Sequence, residues 1–468
     1  MREQRGPYNQ VRNGRRETCS TEMHQHSMTL PVCLLLLCAV TNAADKPNFI
    51  LIMSDDQSWV GSSAQILPGD PRTKSDYFQT PNIERLAKLG MTFTQGYSPA
   101  ASCCPTRRAI QTGQTPARHE YHSDREGWPA TYRKQLNIPR MLKQADARYA
   151  TAHFGKWDHR YDEITPADQG YDVSHGYTGN ATGGSKNTGG PAAQPDPKRI
   201  DTITTDAMQF MDRCQAEGRP FYLQVSHYAV HLDIFYNQKT LERVQSDLTP
   251  GRKHTMPQFA AMTSDLDDSV GRLLDYLIEH QLLRNTYVIF MSDNGGRNTI
   301  PSAPASTLHR NSPLRDGKHS FYEGGVRVPF FVLGPKVKPE SVCRVPVTGL
   351  DLLPTFADLA RYADPMPAVV DGGSIRALLH NDGTGQVLRR NPYLVFHQGA
   401  NRKAISAIRK GDYKLVKTWK TGRIELFDLS QDLSEAVDLA EKLPRKTDEL
   451  EALLTSFLTE VGAATNGK

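Results

Sequence analysis

Two short apolar runs with the same polar ending stand out in the hydrophobic pattern of the chain. Residues 48–53 lead into Ser-Asp-Asp, ending at Asp56, and residues 286–291 lead into Ser-Asp-Asn, ending at Asn294. Continuous apolar runs of this length are typical of strands that are covered on both faces. A helical apolar pattern over residues 266–282 precedes the second run, and a helix followed by a buried strand is typical of α/β folds. We therefore expect a large mixed, mostly parallel sheet sandwiched by helices.

The remaining pattern predicts smaller elements around this sheet. Residues 81–97 predict a helix followed by a strand. Residues 178–199, rich in Gly, Asn and Pro, predict a long loop, which is either a disordered surface insertion or a loop that faces the substrate. After Asp371 the pattern of apolar and polar residues changes to one of short strands. A hairpin (404–409 and 413–418), a strand (424–429) and a closing helix (447–461) predict a small antiparallel C-terminal subdomain.

The N-terminus has the pattern of a secretory signal. Residues 29–40 form an apolar run that is too short for a stable membrane anchor, with a positive region of Arg12, Arg15 and Arg16 ahead of it and small residues behind it. The pattern predicts cleavage near Ala43 or Ala44; the alternative is a buried core helix. We therefore expect export to the periplasm or the extracellular space, without a stable membrane anchor.

Charge and cysteine content narrow the class of protein further. The 468 residues contain 56 Lys and Arg against 51 Asp and Glu, a net charge of +5. So small an excess, with no basic stripe interleaved with aromatics, argues against a nucleic-acid partner. Four of the seven cysteines follow the leader, namely Cys103, Cys104, Cys214 and Cys343. No C-x-x-C metal spacing is present, and a Cys214–Cys343 disulfide is compatible with export but not deducible.

The two polar strand ends are candidate metal ligands. Asp55, Asp56, Asp293 and Asn294 offer four side-chain oxygens. In open α/β sheets ligands gather outside the carboxyl ends of the strands, so we expect both ends to meet at one site. Hard oxygen ligands suit Ca²⁺ or Mg²⁺, and Ca²⁺ tolerates the more irregular cage. The alternative is that these residues merely end their strands in turns.

A cysteine motif between the two runs carries a family resemblance. Residues 103–113 are CCPTRRAIQTG, which resembles the C-x-P-x-R…T-G maturation motif of the type I sulfatases, in the alkaline-phosphatase-like superfamily. Five positions fall in register: Cys103, Pro105, Arg107, Thr112 and Gly113. Thr106 stands where Ser is commoner in the family. Cys104 is followed directly by Pro105, without the one intervening residue of the C-x-P motif, so Cys103 is the cysteine that matches. Further blocks extend the resemblance over nearly all of the chain after residue 44: KPNFILIMSDDQ, QTPNIERLAKLGMTFTQGY, HFGKW, FMSDNGG, LRDGKHSFYEGGVRVPFF, TGLDLLPTFADL and ELFDLSQDLSEAVDLA.

The resemblance implies a mechanism based on Cys103. In that family a formylglycine-generating enzyme oxidises this cysteine to Cα-formylglycine during export. The aldehyde hydrate carries two hydroxyls on one carbon, so one attacks sulfur and the second expels sulfate. The alternative for the cysteine is a small buried hydrophobe. The implied metal ligands are Asp55, Asp56, Cys103, Asp293 and Asn294.

Four further residues acquire roles from the same resemblance. Arg107 would hold the formylglycine, and Lys156 and Lys318 would bind the sulfate oxygens, offsetting the carboxylates that would otherwise repel the anion. His231 would bind sulfate and protonate the departing oxygen, a role that suits an imidazole. His227 is the rival for that role.

The chain departs from the family pattern next to Lys156. The family continues Gly-Lys-Trp with His, whereas this chain has Asp158, with His159 one position later. Either His159 reaches the site through a shifted loop, or Asp158 takes the contact with a different charge; we favour the altered contact. His319 follows Lys318 where Gly is common, and it either reaches the substrate or is exposed.

These observations predict an exported sulfatase that hydrolyses sulfate monoesters to an alcohol and inorganic sulfate. A sulfated carbohydrate is the expected substrate, because export and the polar loop at 178–199 suit a hydrophilic glycan. Two alternatives stay open: a phosphoester or phosphonate hydrolase of the same superfamily, and a degenerate protein that binds sulfated glycans without catalysis. The expected division of the chain is a leader (1–44), a catalytic domain (45–385) and a C-terminal subdomain (386–468).

Overall fold

Strands and helices alternate along most of the chain. The computed structural model describes residues 46–119, 128–159, 163–186, 190–399 and 404–465, and the predicted leader with its cleavage site lies outside them. The strands are β1 Asn48–Ser54, β2 Met91–Phe93, β3 Gly96–Tyr97, β4 Ala150–Gly155, β5 Val173–Ser174, β6 Ala192–Ala193, β7 Phe221–Ser226, β8 Phe235–Tyr236, β9 Thr286–Ser292, β10 Phe330–Leu333, β11 Ser341–Cys343, β12 Val347–Thr348, β13 Leu394–Gln398, β14 Ile405–Lys410, β15 Tyr413–Thr418 and β16 Arg423–Asp428. The helices are α1 Pro81–Leu89, α2 Cys103–Thr112, α3 Pro116–His119, α4 Trp128–Lys134, α5 Ile138–Ala145, α6 Ile200–Ala216, α7 Gln238–Asp247, α8 Pro257–Glu279, α9 Glu323–Val326, α10 Leu352–Leu359, α11 Arg376–Leu379 and α12 Pro444–Glu460.

The central sheet has eight strands in the order β11-β2-β10-β9-β1-β7-β4-β5. All neighbouring pairs are parallel except those of β10, which is antiparallel to both β2 and β9. Alternate residues of β1 enter different cores, because successive side chains of a strand point to opposite faces. Leu51 packs in the core that contains Phe356 of α10, and Ile52 in the core that contains Leu274 of α8. The predicted mixed, mostly parallel sheet between helices is confirmed.

The strand register brings the polar strand ends to one edge of the sheet. Met53 of β1 pairs with Ser226 of β7 and with Met291 of β9, and Gly155 of β4 also pairs with Ser226. The residues that follow β1, β4 and β9 therefore emerge side by side. This is the expected meeting of the two acidic strand ends.

A second, four-stranded antiparallel sheet in the order β13-β14-β15-β16 lies near the C-terminus, as predicted. The hairpin of β14 and β15 turns at the expected place, but β13 was not foreseen. Lys414 of β15 attaches this sheet to the rest of the fold, since its Nζ lies 2.8 Å from Oε1 of Glu323, the first residue of α9. The same Nζ lies 3.0 Å from Oε1 of Glu435, which follows β16. Asp45–Lys468 form one compact unit, and the boundary at residue 385 stays a prediction.

The structure bears on two further points, the Cys214–Cys343 disulfide and membrane-spanning helices. Cys214 in α6 and Cys343 in β11 are free thiols that are buried in cores on opposite faces of the central sheet, so the disulfide left open by the sequence does not form. Among the described residues, none of the helices combines the length and apolarity needed to cross a membrane.

Candidate active site

The three predicted aspartates meet with Cys103 at the carboxyl edge of the sheet. Ligand atoms of Asp55, Asp56, Asp293 and Cys103 all lie within 4.8 Å of one another, and all four residues are buried. The loop after β1 is tied to the loop after β9, because Asp56 N donates to Asp293 Oδ1 at 3.1 Å and Asn294 Nδ2 donates to Asp56 Oδ1 at 2.8 Å. The structure therefore brings together all five predicted metal ligands.

Cys103 is the first residue of α2, at the end of the helix that carries partial positive charge. Its thiol donates to Asp55 Oδ1 at 3.4 Å and lies 3.8 Å from Asp56 Oδ1. Burial, together with the carboxylates of Asp293 and Asp55, raises the pKa of Cys103 well above its ordinary value. The unmodified side chain is therefore a neutral thiol rather than a thiolate nucleophile.

Three buried cations each face one of the carboxylates. The pairs are Lys156 Nζ to Asp55 Oδ2 at 2.6 Å, Lys318 Nζ to Asp56 Oδ1 at 2.5 Å, and Arg107 to Asp293 Oδ2 at 3.0 Å from Nε and 2.8 Å from Nη2. Burial alone would raise the pKa of Asp55, but Lys156 and the neighbouring cations outweigh it and lower that pKa. Because the three charge pairs cancel, a divalent cation added to the cluster would leave it positive and attractive to an anion.

The donor set fits a hard divalent cation. Asp56 Oδ2 and Asn294 Oδ1 are buried oxygens without a hydrogen-bond partner. Such orphaned acceptors are uncommon in folded proteins and call for an explanation such as an ion. Carboxylate and amide oxygens are the ligands that Ca²⁺ and Mg²⁺ take.

Asp158 rather than His159 faces the cluster. The carboxylate of Asp158 lies 3.6 Å from Lys156 Nζ, and both side chains are fully buried. Its backbone is in the left-handed region (φ 56°), and its N–H donates to Thr178 O at 2.8 Å. The His159 ring instead stacks on Trp157, with ring centroids 3.9 Å apart. Of the two alternatives, the geometry matches the altered contact through Asp158.

His231 is the histidine that reaches the site. Its Nε2 lies 3.8 Å from Asp56 Oδ2, while Nδ1 lies 2.5 Å from Leu232 O. Since a carbonyl only accepts, Nδ1 carries the proton and Nε2 faces the carboxylates. Burial lowers the pKa of His231 to about 4, and a bound anion would raise it.

The rival His227 has a different environment. It is fully buried, and its Nε2 lies 3.1 Å from the Ser269 hydroxyl of α8. Burial lowers its pKa to about 3. His319 is exposed, and its N–H donates to Ala101 O at 2.8 Å. Of the three histidines, His231 is the one whose imidazole the structure shows facing the cluster carboxylates.

The predicted loop at 178–199 holds a residue that the sequence did not single out. Its described parts are ordered against the segment after His231, because Ala192 N donates to Ile234 O and Gln194 N donates to Tyr236 O, both at 2.9 Å. At its end Lys198 is buried, with Nζ 4.8 Å from the ring centroid of Phe235. A lysine in a Gly- and Pro-rich loop gives no sequence signal of burial, because lysines are mostly exposed.

Comparison with known proteins assigns the family. The Sulfatase family model matches residues 47–362, and the model of the N-sulphoglucosamine sulphohydrolase C-terminal region matches residues 316–463. A sulfatase of Formosa agariphila is 28% identical over 86% of this chain and 86% of its own. The N-acetylgalactosamine-6-sulfatase of Rattus norvegicus is 27% identical over 86% of this chain and 77% of its own.

Solved structures share the fold. The crystal structure of Ps i-CgsB in complex with k-i-k-neocarrahexaose has a TM-score of 0.71 and 24% identity, covering 88% of this chain and 93% of that chain. The Sulfatase model alone spans well over half of the present chain, and it includes every candidate site residue. The chain therefore belongs to the sulfatase family of sulfuric ester hydrolases, in the alkaline-phosphatase-like superfamily.

Proposed function

We propose that this protein is an exported sulfatase that removes sulfate from a sulfated carbohydrate, using Cys103 after its conversion to formylglycine. One observation carries the proposal: the first residue of α2 lies among three buried carboxylates and beside Lys318, whose Nζ is 3.4 Å from Cys103 Sγ. Two proteins similar to this chain support a sugar substrate, one named N-acetylgalactosamine-6-sulfatase and one solved in complex with k-i-k-neocarrahexaose.

A divalent cation belongs to this proposal, Ca²⁺ in preference to Mg²⁺, because Mg²⁺ demands a more regular cage. The residues that would hold it are Asp55, Asp56, Asp293 and Asn294, with the side chain at position 103 completing the set. When bound, such a cation favours the ionised form of an oxygen nucleophile and attracts the sulfate oxygens.

The conversion of Cys103 is proposed on chemical grounds as well as on the motif. The raised pKa of the buried thiol makes it a poor nucleophile as it stands. An aldehyde hydrate at the same position offers two hydroxyls, so one can attack sulfur while the other later expels sulfate. A formylglycine-generating enzyme is therefore a required partner.

The surrounding side chains would bind the ester and move the proton. Arg107 fixes its neighbours, since its Nη1 donates to Lys156 O at 2.6 Å while its other nitrogens hold Asp293. The ammonium groups of Lys156 and Lys318 would bind the sulfate oxygens. His231 Nε2 lies 3.8 Å from Asp56 Oδ2. A bound sulfate ester would raise the pKa of the imidazole, so that Nε2 takes up a proton from solvent and then gives it to the sugar oxygen as the ester bond breaks.

Export is proposed from the sequence pattern of residues 1–44, which lie outside the described residues. The expected location is the periplasm or the extracellular space, where sulfated polysaccharides are accessible. The leader would be removed near Ala43 or Ala44.

Sulfate release from sulfated sugars tests the proposal. The protein is made with a formylglycine-generating enzyme, and inorganic sulfate is measured for wild type, Cys103→Ala and Cys104→Ala. Cys104 is a matched control, because it is a buried neighbour in the same helix turn. Release by wild type and Cys104→Ala but not by Cys103→Ala supports the proposal, and activity in Cys103→Ala contradicts it.

The same preparation separates the two alternatives. Matched aryl sulfate and aryl phosphate monoesters are compared in one assay. Faster phosphate release would identify a phosphoester hydrolase instead. Binding of sulfated glycans without any sulfate release, from protein whose position 103 is formylglycine, would identify a degenerate binder.

A further inference from the structure

The end of the 178–199 loop places a buried lysine against Phe235, in the segment that follows His231 of the candidate active site. Lys198 is 1% exposed, and its ammonium lies over the ring of Phe235 at 4.8 Å. No hydrogen bond or ion pair joins its Nζ to any residue within the part of the chain that the structure describes. Burying an ammonium group without a hydrogen-bonded anion costs free energy. This cost indicates that Lys198 has an anionic partner that is not part of the protein.

The charges around Lys198 are those of the candidate site. Burial lowers the pKa of Lys198 to about 8, the carboxylates of Asp55, Asp233 and Asp56 raise it, and the Lys156 ammonium lowers it. The side chain is therefore mostly protonated at neutral pH, and it shares the electrostatic environment of the metal-ligand carboxylates. Asp233 is already engaged, since its Oδ2 accepts from Lys186 N at 2.8 Å.

The backbone that turns Lys198 inward is strained. Lys198 and Arg199 are both in the left-handed region, at φ 56° each. That region costs L-residues other than Gly roughly 1–2 kcal/mol per residue. Two such residues in succession persist only where the surrounding structure enforces them, which is common at ligand sites.

Asp158 explains why an additional cation would be useful. Lys156, Lys318 and Arg107 each neutralise one of the three ligand carboxylates, and Asp158 adds a buried negative charge 3.6 Å from Lys156 Nζ. That charge weakens the attraction of the pocket for a sulfate anion. The ammonium of Lys198 offsets it.

We propose that Lys198 donates a hydrogen bond to an oxygen of the scissile sulfate group, as a cation of the sulfate pocket in addition to Lys156 and Lys318. This inference rests on the proposed sulfatase function and extends it to a residue of the 178–199 loop. The sulfate oxygens supply the anionic acceptors that the ammonium lacks in the protein itself.

Inorganic sulfate is the probe, because it is the product of the proposed reaction and should compete with the ester for the same pocket. The inhibition constant of sulfate, kcat and KM are measured for an aryl sulfate with a neutral leaving group, using mature wild type, Lys198→Met and Lys198→Arg. Lys253→Met is the matched control: Lys253 is also buried, and its Nζ donates to Arg72 O at 2.9 Å and to Lys74 O at 2.7 Å. A charge-assisted hydrogen bond predicts a rise of about 10- to 100-fold in the sulfate inhibition constant of Lys198→Met. Lys198→Arg should recover part of it, and Lys253→Met should not change it.

An unchanged inhibition constant in Lys198→Met would overturn the inference. So would a Lys198→Met protein that loses only thermal stability, as Lys253→Met is expected to do. Failure of the proposed function has a different signature, namely a wild type that releases no sulfate from any ester. In that case calorimetric titration of inorganic sulfate into wild type and Lys198→Met still tests the role of Lys198. Weaker sulfate binding by Lys198→Met supports that role, and equal sulfate affinity of the two proteins overturns it.

Discussion

Removal of a bound divalent cation is expected to lower the stability of the protein without unfolding it. The fold should survive because each ligand carboxylate already faces a cation, as in the Lys156–Asp55 pair at 2.6 Å. The stability should nevertheless fall, because Asp56 Oδ2 and Asn294 Oδ1, which have no hydrogen-bond partner among the described residues, would lose a bound ion as a ligand partner. An ion that binds only the folded state stabilises it by about 2.7 kcal/mol at a concentration about 100 times its Kd.

The size of the protein converts this free energy into a small temperature shift. An unfolding entropy of about 2.1 cal/mol/K per residue, over the compact unit Asp45–Lys468, corresponds to roughly 0.9 kcal/mol per degree. The expected rise in Tm on adding Ca²⁺ to chelated protein is therefore about 3 °C, and Mg²⁺ should give less.

Two variants show whether the shift comes from the proposed site. Asp56→Asn keeps the shape of the side chain but removes a ligand charge, so it should lose the Ca²⁺ response in calorimetric scans. Asp265→Asn is the control, since Asp265 is a buried carboxylate of α8 that accepts from Asn237 N at 2.8 Å, and it should keep the response. No Tm shift in wild type, or an equal shift in Asp56→Asn, would refute the reasoning.

Three further predictions follow from the site and its surroundings. His231→Gln should reduce kcat far more for sugar sulfates than for aryl sulfates, since only a poor leaving group needs protonation, a contribution of about 10²–10⁴-fold; an equal loss on both substrates would argue against the proton-donor role. Asp158→Asn should tighten inhibition by inorganic sulfate, because it removes a negative charge 3.6 Å from Lys156 Nζ; weaker inhibition would show that Asp158 helps to bind the anion. Burial lowers the pKa of His119 and His227 to about 3 in the folded protein, whereas a histidine in the unfolded chain has a pKa of about 6.5. At a pH between these two values the unfolded state therefore binds more protons than the folded state. Stability should then fall as the pH drops, by ~2 kcal/mol per imidazole at about pH 5; urea unfolding at neutral pH and about pH 5 measures this, and equal free energies of unfolding would contradict it.

The sequence predicted the centre of the fold because two patterns coincided there. Uninterrupted apolar runs ending in Asp55 and Asp293 are constrained on both faces, and parallel neighbours must align their carboxyl ends. The register of β1 with β9, Met53 opposite Met291, follows from that alignment. The cysteine motif then located the side chain that completes the cluster, since Cys103 begins the helix after the β3 strand.

Tertiary placement decided what the sequence left open. The burial of Lys198 depends on Phe235 and on a strained turn, neither of which leaves a pattern in a Gly- and Pro-rich loop. The choice between Asp158 and His159 depended on Trp157, whose ring gives the histidine a stacking partner away from the carboxylates. Strand β13 was missed because its five residues, Leu394–Gln398, are too few to give a clear strand pattern. It is recognised in the structure by its antiparallel pairing with β14.

The mass of the peptide that carries Cys103 tests the central claim most directly. The protein is produced in a host that matures sulfatases, with a control sulfatase expressed in the same cells. We expect the mass of formylglycine at position 103 and of unmodified cysteine at position 104. An unmodified Cys103, in cells that convert the control, would contradict the proposed nucleophile and with it the account of catalysis given above.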